Sequence, residues 1–426
     1  MIQHLAYGKK GLDINLPEDH EVTIIQPAFP PSVTNTRQAL EDALQHPYGS
    51  LPLHAFVKPT DRIGIVFNDI TRPTPSRALI RAILHELPHI PERNITLFNA
   101  LGSHRFNTPE ELREILGDEL VRDYRIVQSN AFDPTTQVYL GTTTRGHEIW
   151  LNRALWECDV KILTGLIEPH FFAGFSGGGK AILPGMAGIA TIQGNHSAHM
   201  IGDPKARSGV TWDNPVWEEI QEVAHMVDRT FLMNVTLNKN KEVTGIFCGD
   251  LDEAYARGCD FARSTALAPF AEPFDIVIST NSGYPLDINL YQSVKGMSTA
   301  AQVVRQGGSI IMAVECSNGI PKDSMYEKML RDHQSPNDLL EDIYGCPNAH
   351  IDQWQIQIQA MLQLRADVYI YSEGLSDDQI RSAMLIPSHS IEITLSDLLH
   401  KYGQHARICV LPEGPQVIPY MLQGAR

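Results

Sequence analysis

The segment from Gly165 to Gly185 gathers reactive side chains on a backbone nearly free of bulk. His170, the run Gly177, Gly178 and Gly179, and Lys180 fall within a dozen residues, with His196 and His199 just downstream. Glycines let a backbone approach a ligand closely, while lysine and histidine supply charge, a nucleophile and proton carriers. This pattern points to a cofactor site, with Ser176 and the three glycines as candidate contacts. Gly174 to Lys180 has the spacing of a phosphate-binding P-loop, but Ala181 stands where a nucleotidase needs Ser or Thr to hold magnesium. A P-loop-like nucleotide-binding protein is therefore an alternative that the missing hydroxyl weakens.

Three further segments carry candidate chemistry. Arg72 lies in Asn68-Asp-Ile-Thr-Arg-Pro-Thr-Pro75, a loop stiffened by Pro73 and Pro75. A guanidinium held there suits a substrate carboxylate, and a surface ion pair with Asp69 is the plainer reading. His104 sits in Gly102-Ser-His-Arg105, and His170 follows Glu168-Pro169. Imidazole is the natural proton carrier near neutral pH, and two of them on opposite sides of one carbon suggest inversion of configuration. Histidine alone cannot invert a 2-hydroxy acid through its weakly acidic α-proton. It can take the hydroxyl proton if another group accepts the hydride. The chain has no Gly-x-Gly-x-x-Gly dinucleotide fingerprint, so some other acceptor must be supplied. His196 and His199 are spaced for one helical face, which leaves a zinc-dependent hydrolase as a second alternative. A single protein ligand makes sense only where a cofactor provides the remaining donors.

These residues need a scaffold that gathers them. Apolar runs alternate with amphipathic stretches, as in an α/β fold with mostly parallel sheets. Strands are expected near residues 22–26, 62–67, 95–98, 124–128 and 160–164, and a second series near 275–280, 309–314, 367–371 and 407–411. The break Ala268-Pro-Phe-Ala-Glu-Pro273 places the boundary between an N-terminal α/β domain (1–270) and a Rossmann-like C-terminal domain (271–426) that closes the cleft, with its last helix free to pack back. Thr74-Pro75 reads as an N-cap and first helical residue, and Thr108-Pro-Glu-Glu111 as a capping box. Asn68–Arg72, Leu101–Asn107 and the glycine segment are then strand-to-helix loops at one carboxyl edge, where open α/β sheets bind ligands. From the second domain, Gln292 and Lys295 share a helix face beside Tyr291, and Trp354 offers an apolar wall.

Composition bounds the function classes. A chain of 426 residues with 43% hydrophobic and 20% charged residues is a globular protein of two or three domains. The net charge of −16 argues against a nucleic-acid partner. Six scattered cysteines without a Cys-x-x-Cys pair suggest reduced thiols in a cytoplasmic enzyme. No apolar run approaches the ~20 residues that span a bilayer, and the N-terminus lacks the apolar stretch of a signal peptide.

The chain resembles the nickel-dependent lactate racemase family over most of its length. The resemblance is carried by Asn68-Asp-Ile-Thr-Arg-Pro73, Gly102-Ser-His-Arg105, Glu168-Pro-His-Phe-Phe-Ala-Gly-Phe-Ser-Gly-Gly-Gly-Lys180, Gly194-Asn-His196 and Tyr291-Gln-Ser-Val-Lys295. It implies a two-domain enzyme, with its site in the interdomain cleft, that racemises or epimerises C2 of a 2-hydroxy acid. The cofactor implied is a nickel-pincer nucleotide, loaded by cofactor-biosynthesis proteins. Carried over by motif, Lys180 would tether the cofactor and His196 would bind nickel. His104 and His170 would act as base and acid, with Arg72, Gln292, Lys295 and Tyr291 around the substrate. Asp69 would support the cofactor and Trp354 would pack near it. Lactate, aromatic acids, malate and sugar acids remain open as substrates, as does the oligomeric state.

Overall fold

The computed structural model describes residues 1–346 and 349–422. Two six-stranded sheets organise the chain. The first runs in the order Val243–Gly249, Thr230–Leu237, Val160–Leu166, Ile63–Asn68, Ile95–Ala100, Arg125–Gln128. Its pairings are parallel except the edge pair Thr230–Leu237 with Val243–Gly249. The second runs Ile386–Pro387, Ala366–Tyr371, Val304–Ala313, Phe274–Thr280, Ile408–Leu411, Val22–Ile24, all parallel. Central strands such as Val160–Leu166 are buried throughout, as expected of parallel sheets covered by helices on both faces.

The order of the first sheet explains where a ligand can bind. From Ile63–Asn68 the chain steps outward through Ile95–Ala100 and Arg125–Gln128, then returns to the other side as Val160–Leu166. Loops leaving Ile63–Asn68 and Val160–Leu166 therefore diverge, and a crevice opens between them at the topological switch point. The Asn68–Arg72 loop and the glycine segment leave from these two neighbouring strands.

Two sequence expectations change here. Val22–Ile24 joins the second sheet beside Ile408–Leu411, and the hairpin Ile2–Leu5 with Leu12–Asn15 packs its Leu5 and Ile14 under that sheet. Apolar alternation marked a strand but carried no information about which sheet it joined. The helix expected to start at Thr74-Pro75 spans Ser76–Glu86, with Pro75 as an N-cap that makes no capping bond. The Thr74 hydroxyl instead donates to Asn68 Oδ1 at 2.8 Å, tying the loop to its strand. The Thr108–Glu111 capping box forms as expected on helix Pro109–Leu116. The last helix, Ile391–Tyr402, lies on the second sheet, whereas the final strand Ile418–Met421 returns to pair with Leu267–Phe270.

Candidate active site

One cavity between the two sheets is lined by Asp69, Arg72, His104, His170, Lys180 and His196 from the first lobe. The second lobe adds Tyr291, Gln292, Lys295 and Trp354. Ser176 and Gly177 border it too, whereas Gly178 and Gly179 do not.

The loop histidines are held in complementary states. His104 Nδ1 lies 2.6 Å from Asp69 Oδ2, and Thr71 Oγ1 donates to the other carboxylate oxygen at 2.7 Å. Burial works to raise the Asp69 carboxyl, but the facing His104 and these hydrogen bonds outweigh it and hold the group below the usual range. An ionised Asp69 requires a proton on His104 Nδ1, which in the neutral ring leaves Nε2 as a lone pair. At His170 the order is reversed: Nδ1 accepts the Ala173 N–H at 3.2 Å, so the neutral ring carries its proton on Nε2. Burial, then the charges of Lys180, Arg72 and Lys295, press this imidazole well below its ordinary value. The plainer reading, an ion pair between Asp69 and Arg72, does not occur, and the Asp69 carboxylate pairs with His104 instead.

Lys180 and His196 share an apolar enclosure. Lys180 Nζ sits 5.5 Å from the centre of the Phe172 ring and has no hydrogen-bond acceptor among the described residues. Burial first, and Arg72 second, bring its ammonium down to about 7. His196 ends helix Ile189–Asn195 and meets the edges of Phe172 and Trp354 at centroid distances of 5.0 and 4.9 Å. Its Nδ1 is buried without a partner, and burial followed by the Lys180 charge lowers the ring to about 3. His199 is exposed and stacks near Tyr344, 5.9 Å between centroids, away from the cavity. The His196/His199 zinc pair therefore does not form. No cluster of three or more His, Cys, Asp or Glu with metal-holding geometry exists among the described residues.

The glycines serve packing as much as ligand approach. A Cβ on Gly177 would fall 2.5 Å from Asn234 Oδ1, one on Gly178 2.7 Å from the Tyr255 ring, and one on Gly179 2.9 Å from Ala224 Cβ. Gly177 and Gly178 also have positive φ, of 78° and 56°. The Ser176 hydroxyl folds back onto the Leu166 carbonyl at 2.8 Å, and Asn234 Oδ1 accepts the Gly178 N–H at 2.8 Å. The last two glycines lie within a short 3-10 turn over Gly178–Ala181 rather than ahead of a full helix, so the P-loop geometry is absent.

From the second lobe, helix Leu290–Val303 is capped by Asn289, which accepts the Gln292 N–H at 2.9 Å. Lys295 Nζ donates to Gln292 Oε1 at 2.5 Å, as the shared helix face predicts. Burial, then Arg72, lowers the Lys295 ammonium well below its ordinary value. The Tyr291 hydroxyl accepts from Trp354 Nε1 at 3.1 Å and donates to Asp352 at 3.2 Å.

Sequence reasoning missed Asn234, Asp352 and a buried group behind His196. Glu219, 1% exposed, accepts from His147 Nδ1 at 2.7 Å, Thr143 Oγ1 at 2.7 Å and Asn195 Nδ2 at 3.0 Å. It thereby holds the residue preceding His196. No linear motif announces a carboxylate whose partners lie 24 to 76 residues away.

Two doubly wound lobes with a two-histidine cleft between them define a two-lobed α/β protein in which neither the nucleotidase nor the zinc-hydrolase reading finds its site among the described residues. Residues 7–209 match the lactate racemase N-terminal domain and residues 270–419 the lactate racemase C-terminal domain. A lactate racemase of Lactiplantibacillus plantarum is 33% identical over 97% of this chain and 98% of its own. One of Thermoanaerobacterium thermosaccharolyticum is 31% identical over the same shares. The solved lactate racemase apoprotein from the latter organism superposes with a TM-score of 0.91, at 30% identity, covering 99% of this chain and 100% of that one. A Thermotoga maritima protein shares the fold alone, with a TM-score of 0.72 at 17% identity over 91% of this chain and 98% of that one. The chain belongs to the lactate racemase family, and it is a racemase. No described helix is long and apolar enough to cross a membrane.

Proposed function

We propose that the chain inverts C2 of lactate or a related 2-hydroxy carboxylate by proton-coupled hydride transfer, using a nickel-pincer nucleotide held at Lys180 and His196. The observation that carries this reading is the opposed poise of two imidazoles in one cavity: His104 with a free Nε2 lone pair, His170 with an Nε2–H donor.

The residues present fit such a group. His196 offers one buried nitrogen donor, and the unpartnered Nδ1 shows that the protein leaves its ring incompletely bonded. With no further histidine, thiolate or carboxylate cluster among the described residues, a metal here needs donors from the cofactor itself. Lys180, lowered to about 7, is substantially a free amine at neutral pH and able to be acylated. When bound, the pyridinium supplies the hydride acceptor that the chain lacks.

The chain's own residues bind, orient and move protons. Arg72 takes the substrate carboxylate, and Gln292 with Lys295 addresses the reacting oxygen from the other lobe. His104 removes the hydroxyl proton at Nε2, and Asp69 stabilises the positive charge that develops on the ring. His170 donates its Nε2–H to the oxygen. Acylation of Lys180 and a carboxylate against Arg72 and Lys295 remove or offset the charges that press His170 towards neutrality. Substrate binding in loaded enzyme relieves that electrostatic part of the shift, while burial, its largest cause, continues to favour the neutral ring. A planar 2-oxo acid that presents its other face before reduction gives the opposite enantiomer, with the two histidines exchanging roles. Phe171, Phe172 and Trp354 limit water around this exchange.

Loaded protein incubated with single enantiomers of lactate should bring optical rotation to zero from either side. Loaded, nickel-replete protein that leaves every enantiopure 2-hydroxy acid unchanged refutes the reading.

A further inference from the structure

A second cavity, of about 970 Å³, shares Arg72 with the candidate active site and none of its other lining residues. Arg72 is therefore a wall common to both. Leu40, Ile70 and Ile115 give the second cavity apolar surface, and Tyr284 and Pro285 reach it from the second lobe. Its volume is that of a small-molecule site, and such sites pair an apolar lining with a few placed polar groups.

The polar groups here are cationic or hydrogen-bond donors. Arg37, Arg72, Arg77 and Arg81 line the cavity against two carboxylates, Glu41 and Glu114, in a chain whose net charge is −16. Arg37 is paired with Glu41 at 2.9 Å, and Arg81 is paired with Glu119. Arg72 and Arg77 have neither an ion pair nor a side-chain hydrogen bond among the described residues. Helix Ser76–Glu86 also begins in this cavity, with Ser76, Arg77 and Ala78 of its first turn among the lining residues. Its N-cap is Pro75, which makes no capping bond, and the Arg77 N–H has no acceptor among the described residues. Ser76 is 1% exposed, and its hydroxyl is buried without a partner. Buried hydroxyls normally find one. An uncapped helix start, an unused hydroxyl and two unpaired guanidiniums are the donor set of a phosphate site.

We propose that this cavity binds a phosphate monoester of a small metabolite, and that its occupation draws on Arg72 and so weakens substrate binding in the neighbouring site. The inhibition, though not the binding, rests on the reading of Arg72 as partner of the substrate carboxylate. Inorganic phosphate is the probe, titrated by calorimetry into cofactor-free protein at constant ionic strength, because exposed arginines are screened by salt. Wild type should bind phosphate at least about tenfold more tightly than acetate. Arg77→Gln should weaken phosphate by about tenfold or more, and Lys295→Gln, confined to the other cavity, should leave it unchanged. Ala78→Glu is a second variant that keeps the fold, since an acidic residue suits the first turn of a helix, and its carboxylate should likewise displace phosphate. In loaded enzyme, phosphate should raise the KM for lactate without lowering kcat, and this effect should be lost in Arg77→Gln. Phosphate that fails to bind, binds no better than acetate, binds both first-turn variants as tightly as wild type, or is lost with Lys295→Gln overturns the proposal. So does equal inhibition of wild type and Arg77→Gln. Loaded protein inert toward every 2-hydroxy acid overturns the functional reading alone, and the calorimetry still decides the site.

Discussion

Replacing Asp69 by Asn removes one charge and leaves the shape of the site intact. The carboxylate is 6% exposed and meets His104 Nδ1 at 2.6 Å, with Thr71 fixing its second oxygen. Hydrogen bonds to charged groups contribute about 1.5–3 kcal/mol. If that interaction is fully expressed as His104 takes up a proton, each 1.36 kcal/mol lost slows the reaction tenfold, so kcat/KM should fall roughly 10- to 150-fold. Asparagine can also present its NH2 group to Nδ1, which shifts the ring proton to Nε2 and removes the lone pair needed as base. The assay is racemisation of L- and D-lactate followed by polarimetry, normalised to nickel and cofactor content. Normalisation matters because an Asp69 that supported the cofactor would change occupancy rather than turnover per loaded site. Asp69→Asn with wild-type loading and kcat/KM within about threefold of wild type would refute the assignment of Asp69 to His104.

Other outcomes follow from the same geometry. His104→Ala and His170→Ala should each lower turnover by about 100-fold or more without releasing nickel, read by chiral chromatography beside metal analysis; racemisation near the wild-type rate in either sinks its role as proton carrier. In cofactor-free protein, reductive methylation of Lys180 should rise through pH about 7, well below the surface lysines. Peptide mapping that shows Lys180 modified only alongside them contradicts its burial as an amine. Glu219→Gln should cost about 3–5 kcal/mol, because His147 and Asn195 lose a buried anionic partner. Burial works to raise Glu219, but the His147, Thr143 and Asn195 hydrogen bonds leave its folded value below the ordinary one. Its stabilisation is therefore present above the unfolded carboxylate range and is lost as pH falls through the folded value. Urea unfolding at pH 7 and in acid should show the wild-type advantage shrinking; an advantage that grows on acidification reverses the sign of the argument.

The sequence by itself determined the α/β class, most of the strands, the Thr108 capping box, and the loops that carry His104, His170, Lys180 and His196. Those signals are local: apolar runs of strand length, turn chemistry, and reactive residues within one short segment. Tertiary structure decided the rest. Val22–Ile24 crosses to the second sheet because its pairing partner, Ile408–Leu411, lies nearly 400 residues away. The three glycines, which read as a ligand cradle, are also required by Asn234, Tyr255 and Ala224 packed against them. The tautomers of the two histidines depend on Asp69 from one loop and the Ala173 N–H of another. Glu219 and Asp352 find hydrogen-bond partners that are brought near only when elements distant in sequence pack together. Local patterns fix which groups are available, but a proton's position, a carboxylate's charge and a lysine's free amine depend on burial and on neighbours that linear spacing does not encode.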